Sequence, residues 1–120
     1  MTMSVKDIAV DLIALCNAGA FLEAGDKYWA DDVVSIEPMG PTLETAGKAA
    51  VRGKGEWFAA NHEITGFTAS GPYLHGDQFA VRFVADLTFK ATGERRTMDE
   101  IGLYTVKDGK IVEERFLFGG

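Results

Sequence analysis

The chain has 120 residues, 47% hydrophobic and 25% charged, a balance that fills one core and excludes the disordered and collagen-like classes. Eighteen Asp and Glu against twelve Lys and Arg leave a net charge of −6, which repels a phosphate backbone and argues against nucleic acid as a partner. No apolar run approaches the roughly 18 residues a membrane span needs, and Met1-Thr2-Met3-Ser4-Val5-Lys6-Asp7 shows no secretory signal, so a cytoplasmic protein with no membrane partner is expected.

In chain order, Ser4-Val5-Lys6-Asp7 offers a helix cap, and Val5, Ile8, Leu12 and Leu15 recur at helical spacing up to Asn17-Ala18-Gly19. Cys16 falls in this run. As the only cysteine it excludes an internal disulfide and a thiolate metal site, and it reads as a small buried thiol. A second short helix is predicted over 20–29, broken by Asp31-Asp32, then a β-rich run over 33–37 stopped by the loop Pro38-Met39-Gly40-Pro41. A third helix is expected over 46–61, capped by Thr45, with Ala50, Val51, Lys54, Trp57, Phe58 and Asn61 as its inward stripe. Runs at 64–74, 78–90, 96–106 and 110–118 read as strands. Their separators, His75-Gly76-Asp77, Ala91-Thr92-Gly93-Glu94 and Lys107-Asp108-Gly109, carry hairpin chemistry. Three helices lying on one face of an antiparallel meander make an α+β domain spanning 1–120.

Strand register predicts which side chains share a face. Phe79, Val81, Phe83, Ala85, Leu87 and Phe89 alternate with polar neighbours and must face the core. A two-residue turn at Thr92-Gly93 pairs Ala85 with Glu100, Phe83 with Gly102 and Val81 with Tyr104. A three-residue loop at Lys107-Asp108-Gly109 pairs Tyr104 with Val112, Gly102 with Glu114 and Glu100 with Phe116. Val112, Phe116 and Phe118 then lie on the core face, and so do Glu100 and Glu114, with Gly102 leaving open volume between them. Carboxylates on an apolar face cost several kcal/mol unless paired. Two of them titrate as a coupled unit with at least one raised pKa, which suits acid–base work near neutrality. A register slip of one residue, or a wet rim position, is the ordinary alternative.

Tyr28-Trp29-Ala30-Asp31-Asp32, Val33-Val34-Ser35-Ile36-Glu37-Pro38, Asp108-Gly109-Lys110-Ile111-Val112 and Phe116-Leu117-Phe118-Gly119, in this order, resemble the SnoaL-like proteins of the nuclear transport factor 2-like superfamily, relatives of ketosteroid isomerases and polyketide cyclases. The resemblance implies a cone, a strongly curved mixed or antiparallel sheet wrapped around the helices with one pocket at its open end. It also implies a homodimer through the outer sheet face. Ketosteroid isomerases carry an Asp base before a Pro at the end of the short strand, where this chain has Glu37. The isomerases' oxyanion Tyr is replaced by Leu12, and their protonated Asp falls at Ile101 or Gly102, next to Glu100.

Lys54 either balances the carboxylates or snorkels to solvent. Trp57, Phe58, Phe83 and Tyr104 are expected as pocket walls, Tyr104 facing Val81 and Val112. His62 is a candidate acid or base at the pocket mouth. His62 and His75 lack metal-ligand spacing, so no metal and no cofactor are expected. Arg82, Asp86 and Asp99 share the outer face and read as a surface ion pair or dimer contact, whereas an epoxide hydrolase of this superfamily needs its Asp-Arg-Asp set inward. The expected function is cofactor-independent isomerisation, cyclisation or dehydration of a small apolar carbonyl compound, with Glu37, Glu100 and Glu114 as catalytic residues. The alternatives are a non-catalytic ligand-binding or dimeric scaffold module and, as a minor one, the epoxide hydrolase.

Overall fold

The structure, a computed structural model, describes residues 3–38 and 43–118, so Met39, Gly40 and Pro41 of the expected loop lie outside the described residues. Helix α1 (Val5–Asn17) starts where Ser4 Oγ accepts the Asp7 N–H at 3.1 Å, the expected cap. Helix α2 (Phe21–Tyr28) runs directly into strand β1 (Trp29–Ile36). Strand β2 (Glu44–Ala46) and helix α3 (Lys48–Asn61) follow, then β3 (His62–His75), β4 (Gln78–Phe89), β5 (Glu94–Lys107) and β6 (Lys110–Phe118). The described strands form one sheet in the order β2-β1-β6-β5-β4-β3, with β1 and β6 parallel and the other neighbours antiparallel.

One face of the sheet is covered by the helices. Helix α1 contributes Ile8, Ala9, Leu12 and Cys16 to the core, α2 contributes Ala24 and Tyr28, and α3 contributes Val51. These pack on Val33, Phe79, Val81, Phe83, Tyr104, Val106 and Ile111. Burial pushes the Cys16 thiol up to about 12, which leaves it an inert core residue. The end of α1 is pinned to β3, because Asn17 Nδ2–H donates to Ala69 O at 3.0 Å while Ala69 N–H donates to Asn17 Oδ1 at 2.8 Å.

Several expectations need correction. Residues 44–46 pair with β1 instead of starting the helix, so α3 begins after Gly47 rather than with Thr45 as its cap. Its inward stripe is Val51, Lys54 and Phe58, while Ala50 and Trp57 sit one position behind it and are exposed. The β4–β5 loop takes four residues, 90–93, and Phe89 pairs with Glu94. That moves the register by two, so Phe83 faces Glu100 and Val81 faces Gly102. A shift of two preserves the side-chain faces.

The last hairpin closes with two residues, Asp108 and Gly109, both at positive φ (52° and 76°), as a tight hairpin of this hand requires. The extra residue appears instead as a bulge at Val112, opposite the step from Thr105 to Val106. The short loop pairs Val106 with Ile111, and past the bulge Tyr104 pairs with Glu114, so Ile111 is fully buried and Val112 only partly.

Candidate acid–base site on the inner face of the sheet

The site starts from the pairing of β1 with β6. Their parallel register sets Ser35 beside Glu114. Both are buried, at 0% and 5% exposure, and a buried carboxylate needs donors. Ser35 Oγ–H donates to Glu114 Oε2 at 2.8 Å, and Trp29 Nε1–H donates to Oε1 at 2.7 Å. The Trp29 indole reaches this place because its ring lies over Gly25 of α2, in space that any Cβ would occupy. Burial raises the Glu114 pKa, and the bonds from Trp29 and Ser35 oppose that rise.

Helix α3 adds the cation. Lys54 Nζ donates to Ser35 Oγ at 2.6 Å and to Glu37 Oε1 at 2.8 Å, and lies 5.8 Å from the Phe116 ring centre. Lys54 therefore balances the carboxylates instead of extending into solvent. Glu37, just beyond β1, has its backbone N–H bonded to Leu43 O at 2.7 Å.

Strand β5 supplies the other half. Glu100, Gly102 and Tyr104 alternate on the inner face, with Phe83, Val81 and Phe79 opposite them on β4. The space over Gly102 is not open as expected. The Phe83 and Tyr104 rings fill it, and a Cβ on Gly102 would stand 2.9 Å from each. Tyr104 stacks on Phe79 at 4.9 Å between ring centres and faces Glu114 across the strands, not Val81 and Val112. Burial raises its phenol well above the ordinary value, aided by the charge of Glu114. Burial also pushes Glu100 up to about 7, with the negative charge of Glu37 adding to the rise and Lys54 and Arg96 opposing it.

Six of the nine expected site residues thus gather on or beside this face: Glu37, Lys54, Phe83, Glu100, Tyr104 and Glu114. Trp57, Phe58 and His62 form a separate aromatic group at the end of α3. His62 stacks on Phe58 at 4.2 Å and meets Phe89 and Trp57 edge-on, and its Nδ1 lies 2.9 Å from Phe58 O. Trp57 is 58% exposed and does not wall the acid cluster. Arg82 and Asp99 pair on the exposed outer face, with Asp86 bonded to Thr97. Ser35 and Trp29 were not among the expected site residues. An inward Ser two positions after Val33 in a β-rich run was the available signal for Ser35, since a buried hydroxyl needs a partner. Trp29 reads from sequence as the apolar end of α2, and nothing local marks its indole as a carboxylate partner. Among the described residues no group of three or more His, Cys, Asp or Glu side chains is arranged to hold a metal ion.

Among the described residues, three helices on one face of a mixed, unclosed six-stranded sheet define the nuclear transport factor 2-like α+β cone. The chain belongs to the SnoaL-like family, whose domain profile matches residues 3–118. It is similar to a Mesorhizobium loti protein described both as a SnoaL-like polyketide cyclase and as a carbohydrate phosphatase. The two are 53% identical over 97% of this chain and 100% of that one, with a TM-score of 0.93. A Bacillus subtilis protein described as an isomerase shares the fold at 21% identity, TM-score 0.79, over 98% of this chain and 90% of that one. So does a Catenulispora acidiphila protein with a ketosteroid isomerase-like fold, in complex with trimethylamine, at 15% identity and TM-score 0.74, over 93% and 85%. No curated protein matches the sequence.

Proposed function

We propose that the inner face carries out cofactor-independent acid–base chemistry on a small, largely apolar carbonyl compound: isomerisation, aldol-type cyclisation or dehydration. The observation that carries this reading is one face holding both Glu37, ion-paired to Lys54 at 2.8 Å, and a half-buried Glu100 pushed up to about 7. The polyketide cyclase description of the Mesorhizobium loti relative supports the same class of chemistry.

In this reading Glu37 uses the oxygen that Lys54 does not hold to take a proton from the carbon next to the carbonyl. The electron pair moves onto the carbonyl oxygen, and the Tyr104 hydroxyl and the neutral Glu100 carboxyl donate hydrogen bonds to it. Donors fixed in a site of low dielectric stabilise such charge without reorganising. The proton then returns from Glu37 to the product. Glu114 is the weaker candidate for the oxyanion donor, because both its oxygens already accept bonds.

The test is exchange of α-protons into deuterated water over a panel of ketones. Glu37→Gln is expected to slow exchange by roughly 100-fold or more, and Tyr104→Phe by about 100-fold. Equal rates for wild type and Glu37→Gln would remove Glu37 as the base.

A second reading, a ligand-binding or scaffold module without turnover, draws on Leu12. It is buried at 4% exposure where the resembling isomerases carry their oxyanion Tyr. An ordinary titration of Glu100 together with no ketone exchange would favour it. For the epoxide hydrolase reading, the outward placement of Arg82, Asp86 and Asp99 gives no support. We propose also that the chain works as a homodimer through the outer sheet face, where Leu117 is 46% exposed. Sedimentation of a monomer at micromolar concentration would contradict that.

A further inference from the structure

The hydrogen bonds around Glu114 have a direction. Trp29 N–H and Ser35 O–H each donate to a different carboxylate oxygen. A hydroxyl has one proton, so the Ser35 oxygen meets Lys54 only as an acceptor, at 2.6 Å. A second ammonium proton goes to Glu37 Oε1 at 2.8 Å. Lysine is a point charge on a flexible four-carbon stem, and one acceptor alone does not fix its head. Here the second acceptor is itself fixed, because Ser35 and Glu114 are both buried on neighbouring strands.

We propose that Glu114 is a positioning residue. It locks the Ser35 hydroxyl and, through it, holds the Lys54 ammonium against Glu37. This rests on the reading of Glu37 as the proton acceptor, and it moves Glu114 from reacting acid to support. Among the described residues, a single chain of bonds, Trp29 and Ser35 to Glu114, then Lys54 to Ser35 and to Glu37, accounts for every hydrogen bond these side chains make. The rival account is that Glu114 acts on Lys54 through space, as a bare negative charge.

The two accounts separate in a double-mutant cycle read by proton–nitrogen NMR on the whole chain, following the Trp29 indole N–H and the water exchange of the Lys54 ammonium. Ser35→Ala is expected to speed ammonium exchange on the order of tenfold, the worth of one hydrogen bond, and to leave the indole resonance in place. Glu114→Gln is expected to move the indole resonance upfield and also to speed ammonium exchange. The double variant is expected to exchange no faster than Ser35→Ala alone, since both changes break the same link. Ser35→Cys, close in volume with weaker bonds, serves as the milder probe and is expected to give an intermediate rate.

Unchanged ammonium exchange in Glu114→Gln, or additive effects in the double variant, would overturn the proposal. Failure of the Glu37 reading would look different. Wild type and Glu37→Gln would then exchange substrate α-protons equally, while the Lys54 signal still followed Ser35 and Glu114.

Discussion

Two ion pairs on opposite faces of the same sheet have almost the same length and different consequences. On the outer face, Arg82 grips Asp99 through two bonds, the shorter at 2.7 Å, with side chains 55% and 46% exposed. On the inner face, Lys54 meets Glu37 at 2.8 Å with both side chains 29% exposed. The bond to Arg82 lowers the Asp99 pKa, on a face open to water. The inner pair adjoins two further carboxyls, Glu100 and Glu114, whose pKa values burial has raised. Water, more than distance, decides whether a charge pair is screened at the surface or felt by the groups beside it.

The largest effect is expected at Glu114. Glu114→Ala leaves the Trp29 N–H and the Ser35 hydroxyl without their acceptor in a dry place, and is expected to cost about 3 kcal/mol in urea unfolding. Gly25→Ala acts on the same network from behind, by driving the Trp29 ring out of the space it occupies. The expected cost is about 2 kcal/mol, as for other overpacked sites, with an upfield shift of the indole N–H.

Glu100 sharpens the contrast through pH. Its folded pKa of about 7 lies above the ordinary 4.5, so the native state keeps a proton that the unfolded chain has released. The stability this contributes is fully present below about 4.5 and is lost as pH rises through about 7. Between about pH 5 and about pH 8 wild type is expected to lose on the order of 2–3 kcal/mol that Glu100→Gln does not lose, read as urea midpoints. The smallest effect belongs to the outer pair. Arg82→Ala is expected to leave the urea midpoint within experimental scatter at physiological salt, because an exposed pair is screened and contributes little.

The element sequence was largely legible because the strand runs and their Gly-containing separators fall where the hairpins are. The inward placement of Glu100 and Glu114 was legible too, although both registers were off. The β4–β5 error was an even number of residues, which leaves faces unchanged. On β6 the expected hairpin loop had one residue too many, and the bulge beside Val106 restored the face for Glu114 while turning Ile111, not Val112, fully inward. Bulges depend on pairing across strands, and no local residue pattern announced this one. The parts of the site that stayed hidden, Ser35 and Trp29, are long-range partners of Glu114, 79 and 85 residues away in sequence. The exposure of Trp57 was missed for a related reason. Its stripe was drawn one residue too wide, and the β2 pairing that sets the start of α3 was not foreseen.

The proposed chemistry requires an acid on the inner face that titrates near neutrality. The direct measurement is the side-chain carboxyl carbon shift of Glu100, followed by NMR across the titration of the unliganded protein. A midpoint near 7 is expected. A midpoint at the ordinary glutamate value of 4.5 would contradict it, and would leave the fold standing without the proposed chemistry.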